Sequence, residues 1–248
     1  MLSHFKSKRK ITIKKNKKNT EWPSHSKYKK SRRKIMLIEK TLRDYLKEVR
    51  SDSPAPGGGS VAAYSSALGA SLTNMVMALT ESKKAFAELP ESEQNTMKDY
   101  SKKLVAVCTE LEDIVDTDST AFNDVIKALK MPKETDEEKK IRSEKIQEGY
   151  KIALEIPFRC AELGLEAMAM QKIFAQNGNI NAITDVGVGC LLLQTGVEGA
   201  LLNVTINLKS LKDEAFREET RKKVEDMLEA SKKYKEETLA IVYKRLAE

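Results

Sequence analysis

The chain has 248 residues, with 44 Lys and Arg against 37 Asp and Glu and a formal net charge of +7. The excess is local: residues 1–35 hold 14 of the basic residues and a single acidic one, Glu21, so residues 36–248 carry a formal −6. Overall basicity therefore describes a terminal segment, and a nucleic-acid-binding fold is excluded as its explanation.

Residues 1–35 also hold both histidines, His4 and His25, and the only tryptophan, Trp22, with no apolar periodicity. Such a segment is expected to be disordered on its own. Two readings stay open. It is a basic arm, the one part suited to nucleic acid or a membrane surface, or it is upstream sequence joined by an early start, since Met36 stands where helical patterning begins. It is mainly lysine rather than arginine and serine, and lacks the apolar run of a secretory signal. The fold is therefore sought in residues 36–248, where any chemistry must proceed without histidine.

In that region Leu42, Tyr45, Leu46 and Val49 recur at helical spacing, and the pattern stops at the Pro- and Gly-rich run from Ser51 to Ser60. Residues 60–80 contain no charge. A membrane span is rejected there, because the stretch is built from Ala, Ser, Gly, Thr and Asn and is followed by Glu81, Lys83 and Lys84. It reads as a central helix of small residues, where backbones approach closely. A third pattern runs from Glu93 to Leu129 and ends at Met131-Pro132, with Leu111, Ile114, Val115 and Phe122 on its stripe. A helix from about Glu134 to Ala175 follows, with a kink expected at Pro157. Thr184 is the predicted cap of a low-charge helix reaching Leu208, and Asp213 to Leu246 supplies a last amphipathic one. No segment alternates with period two. The predicted fold is all-α, a bundle of about six helices, and its two uncharged helices call for a homodimer or other homo-oligomer. Cys108, Cys160 and Cys190 lie far apart in apolar helical contexts and read as buried, reduced thiols of a cytoplasmic protein. Without CxxC or HExxH spacing, no metal site is expected.

Three places could carry chemistry. Pro56-Gly57-Gly58-Gly59-Ser60 leads into a helix start, where unpaired N–H groups suit an anion or a polar ring; a plain turn with Ser60 as N-cap is the competing reading. Asp118 puts a carboxylate where the stripe calls for an apolar side chain, which demands either a structural partner or a catalytic role. Asn179, Asn181 and Asp185 cluster at a helix start, with Asn203 and Asn207 further along it; caps are the bland reading and recognition of a heterocycle the functional one. Lys83 and Lys84 are solvated charges, or hold a polyanion.

Taken together, Pro54-Ala55-Pro56-Gly57-Gly58-Gly59-Ser60-Val61-Ala62-Ala63, Asp118-Ser119-Thr120-Ala121-Phe122, Asn179-Ile180-Asn181 through Thr184-Asp185-Val186-Gly187-Val188, and Leu202-Asn203-Val204-Thr205-Ile206-Asn207-Leu208 resemble the cyclodeaminase/cyclohydrolase family of folate enzymes. Val188-Gly189-Cys190 stands where the family more usually has small alanines. The resemblance implies a helical homodimer acting on one-carbon adducts of tetrahydrofolate without a cofactor. One branch hydrolyses 5,10-methenyltetrahydrofolate to 10-formyltetrahydrofolate. The other releases ammonia from 5-formiminotetrahydrofolate. Cyclohydrolase is the favoured expectation, since no formiminotransferase region is seen in this sequence. A folate-binding or scaffold protein without turnover is the alternative of another class. On this resemblance Asp118 carries the proton, with Asp185 the other contender. Asn181 and Asp185 read the pterin, Gly57 to Ser60 lies beside the folate, and Lys83 or Lys84 holds its glutamate tail.

Overall fold

The structure, a computed structural model, describes residues 36–248; the readings for residues 1–35 fall outside the described residues. A 3-10 turn at Leu37–Glu39 precedes α1 (Leu42–Val49), α2 (Gly58–Glu81), the single-turn α3 (Lys84–Ala87), α4 (Glu91–Ala121), α5 (Asn123–Leu129) and α6 (Asp136–Asn177). A second 3-10 turn at Ile180–Ala182 leads into α7 (Ile183–Leu208), and α8 (Glu214–Leu246) ends the bundle. There is no strand among the described residues, as the all-α expectation required.

Small residues place α2 and α7 at the centre. α2 packs on α4, α6 and α7, while α7 also packs on α6 and α8. The two run antiparallel, with Gly58 beside Asn203 at one end and the Asn179 loop beside Thr80 at the other. Midway their backbones nearly touch: a Cβ on Gly69 would lie 2.6 Å from the Gly189 carbonyl oxygen, and one on Gly189 would lie 2.9 Å from that of Gly69. Around this contact Leu104, Leu111, Leu163, Met168, Phe174, Leu193 and Leu201 are almost fully buried. Each such side chain contributes about 1.5–3 kcal/mol on leaving water. The segment 180–208 is long and apolar enough to cross a membrane by length and composition, but more than half of its apolar 18-residue window is buried inside the bundle.

Several local expectations are corrected. The predicted helix from Glu93 to Leu129 is divided at Phe122. Beyond it, α5 turns Val125 onto α6 at Gly149, where a Cβ would come within 3.1 Å of Val125, and Phe122 and Leu129 end exposed rather than in the core. On α1 only Tyr45 of the apolar stripe is buried; Leu42 and Leu46 face outward. The N-caps of α2 and α7 are Gly57 and Ala182, not Ser60 and Thr184.

Pro157 lies inside α6, which continues unbroken through it. Proline has no N–H to give the carbonyl four residues back, here Ala153. The Asn207 Nδ2 of α7 donates to that carbonyl at 3.4 Å. Asn207, expected to touch substrate, thus gives its Nδ2 to an acceptor that α6 leaves open.

Candidate active site at the glycine start of α2

Asp118 lies on the last full turn of α4 and faces the first turn of α2. A Cβ on Gly59 would land inside the Asp118 carboxyl group, so glycine is required there by close approach. Ser60 is fully buried; its hydroxyl donates to the Val115 carbonyl at 2.8 Å and reaches Asp118 Oδ2 at 3.4 Å. Burial pushes the Asp118 carboxyl above the usual carboxylate range, against the backbone N–H and hydroxyl of Ser60, which favour the ionised form. Pro56 is buried under the loop, Gly57 is half-buried and Gly58 is exposed. A Cβ on Gly58 would stand 3.4 Å from Asn203 Nδ2, which donates to the Gly199 carbonyl at 2.8 Å. The glycine loop, Ser60, Asp118 and Asn203 therefore form one group of neighbours.

Other groups close around Asp118. Cys160 of α6 is buried and its thiol is pushed up to about 12, by burial first and by the Asp118 charge second. From the opposite side α1 delivers Tyr45, whose ring centroid is 5.4 Å from that of Tyr64, one turn beyond Ser60. Asp116 holds the approach to α1: its Oδ1 accepts from the Leu37 N–H at 2.6 Å and its Oδ2 from the Ile38 N–H at 3.2 Å. Reading the sequence missed Tyr45 and Asp116. Tyr45 had the same signal as Asp118, a polar atom on an apolar stripe, but tyrosine counts as apolar in such patterns.

The remaining candidates lie elsewhere in the chain. Asn179 accepts from the Asn181 N–H at 3.1 Å, donates through its own N–H to Thr80 Oγ1 at 2.8 Å, and donates through Nδ2 to the Leu79 carbonyl at 3.1 Å. This loop is thus tied to the C-terminal end of α2. Asp185 sits half-buried in the first turn of α7, 18 residues before Asn203, or about 27 Å along the helix. Lys83 and Lys84 are exposed just past the end of α2, Lys84 paired with Glu88 at 3.5 Å. Within one chain, then, Asp118, Gly57 to Ser60 and Asn203 meet at one end, whereas Asn181, Asp185, Lys83 and Lys84 occupy the other.

The Asp118 cluster sets one half-buried carboxyl group against a glycine-started helix, with its proton held more firmly than in water. Such a group is suited to take up a proton and return it in the course of a reaction.

A sequence model of the family described as Formiminotransferase-cyclodeaminase matches residues 41–226. The chain is 38% identical to a methenyltetrahydrofolate cyclohydrolase of Methylorubrum extorquens over 193 residues, 78% of this chain and 91% of that protein. It is also 38% identical to the formimidoyltransferase-cyclodeaminase of Rattus norvegicus over 196 residues, 79% of this chain but 36% of that protein. It thus spans little more than a third of that larger relative. Among solved structures, the formiminotetrahydrofolate cyclodeaminase of Thermotoga maritima superposes with a TM-score of 0.67 at 26% identity, covering 84% of this chain and 96% of that one. The family model over residues 41–226 and these relatives show that this chain belongs to the formiminotransferase-cyclodeaminase family.

Proposed function

We propose that this chain is a cytoplasmic folate one-carbon enzyme that hydrolyses 5,10-methenyltetrahydrofolate to 10-formyltetrahydrofolate, with no resident cofactor. The observation that carries the reading is the Asp118 carboxyl, half-buried against Gly59 and Ser60 and held above its usual range by burial. Water adds to the one-carbon bridge between N5 and N10 and gives its proton to the Asp118 carboxylate. The bond from that carbon to N5 then breaks, N5 takes the proton back, and the carbinol oxygen loses its own proton as the formyl group forms on N10. One proton leaves overall, matching the positive charge lost by the methenyl bridge. The match along 91% of a named cyclohydrolase supports this branch.

The second reading is cyclodeaminase, supported by the names of the rat and Thermotoga relatives. There N10 attacks the formimino carbon and Asp118 protonates the departing ammonia, so the same carboxyl serves a similar tetrahedral carbon. The test is loss of methenyl absorbance against ammonia release from 5-formiminotetrahydrofolate. Turnover only in the second assay overturns the first reading; folate binding with turnover in neither favours a binding protein.

The working unit is a homodimer. Val61, Leu68, Met75 and Leu79 on α2, and Val188, Leu191, Leu202 and Ile206 on α7, are exposed, with Leu202 at 70%. At about 100° per residue both rows stand roughly a quarter-turn from the α2–α7 contact in the same sense, and so share one side of the pair. A second copy docked there across a two-fold axis sets the start of one α2 near the end of the other. That arrangement brings Asn181, Asp185 and the Lys83–Lys84 pair of one chain toward Asp118 of its partner, and accounts for a substrate site split between the ends of one protomer.

A further inference from the structure

Tyr45 is only 7% exposed, yet its hydroxyl has no hydrogen-bond partner among the described residues. An orphaned buried donor is costly and calls for an explanation. Its surroundings supply one. The ring lies against Tyr64, one turn past Ser60, and the segment leading to α1 is fastened to Asp116, two residues from Asp118. The groups around Asp118 are Ser60 from α2, Tyr45 from α1, Cys160 from α6 and Asp116 on its own helix. None of them is positively charged. Among the described residues only neutral donors act on the ionised Asp118, and the two from Ser60 do not offset the desolvation.

We propose that Tyr45 is the positioning residue of Asp118: its hydroxyl becomes the hydrogen-bond donor to the Asp118 carboxylate once that group has released its proton. Burial, with smaller contributions from Tyr64, Asp118 and Asp116, pushes the phenol up to about 12, so it stays protonated and available as a donor throughout the neutral range. The hydroxyl is idle while Asp118 is protonated and engaged when the charge appears. Stabilisation is then given to the carboxylate, the form that accepts water's proton in the hydrolysis proposed above, so that more of the enzyme stands ready to react. The proposal rests on the acid–base role assigned to Asp118 above.

Tyr45→Phe tests it, since it removes one oxygen and keeps the ring. At pH values below the carboxyl's midpoint turnover should fall about 10-fold with KM changed less than about 3-fold, because less of the carboxyl is ionised and ready to accept the proton. The Asp118 carboxyl, followed by ¹³C NMR titration without substrate, should titrate about one pH unit higher once it loses its donor. The melting temperature should stay level or rise, because an unsatisfied hydroxyl has gone. Unchanged turnover and titration overturn the proposal, and so does a fall in turnover without a titration shift, the signature of a packing role. If the parent enzyme turns over neither folate, the catalytic reading falls, while the titration still decides whether the hydroxyl serves Asp118.

Discussion

Asp118 is a carboxylate whose burial makes it a stronger proton holder in the folded than in the unfolded chain. By linkage, the protonated carboxyl contributes stability that is fully present below the ordinary carboxylate range and is lost as pH rises through the raised folded value. Asp118→Asn, which cannot ionise, should therefore melt higher than the parent at pH 7, with the advantage shrinking toward acid. It should also lose about 10²–10⁴-fold in turnover, the usual worth of a positioned acid or base. Scanning calorimetry across pH checks the first outcome and the methenyl assay the second. Gly59→Ala presses a methyl group into the same carboxyl and should cost about 1–3 kcal/mol of stability, as overpacking does. In the Asp118→Ala background most of that cost should vanish, which a double-mutant cycle by chemical denaturation would measure.

At the scale of elements, the long helices were legible because their apolar rows recur over many turns, as in α4 from Met97 to Val115, all buried at Met97, Leu104, Val107, Leu111, Ile114 and Val115. The break at Phe122 was not, since Phe122, Val125 and Leu129 keep the same spacing. Only the approach of α5 to Gly149 of another helix decides it. Likewise the link from Asn207 to α6 was not legible, because nothing local to α7 tells that its partner carbonyl has been freed by a proline 50 positions earlier. Asn207→Leu should lower stability by about 1–3 kcal/mol by leaving the Ala153 carbonyl unserved. Pro157→Ala restores the missing backbone N–H, so in that background the same substitution should cost markedly less; thermal melts of the four proteins give the coupling.

For the whole molecule, the sequence order of the candidate motifs was clear and their distribution in space was not. Asp118 and the glycine loop, 58 positions apart at Ser60, meet because α4 returns alongside α2. Asn181 and Asp185 fall at the far end because α7 begins where α2 finishes. A charge on the shared α2–α7 face tests how these ends are joined: Leu68→Lys with Leu202→Glu should leave the helical content intact, yield a monomer by light scattering and remove most turnover. A monomer with parental activity would show that one chain's Asp118 end suffices.

The Gly69–Gly189 contact then takes on a role beyond packing. It lies at the midpoint of α2 and in the second turn of α7, one turn from Asp185 and about 14 Å along α2 from Ser60, and it sets the spacing of the two helices without any side chain to yield. A single methyl group at either position must separate or tilt two rods whose tips carry the Asp118 and Asp185 clusters. Displacement grows along α2 toward its glycine start against Asp118, so this pair should be among the least tolerant positions in the protein for activity, by leverage at that end and by direct displacement of Asp185 at the other.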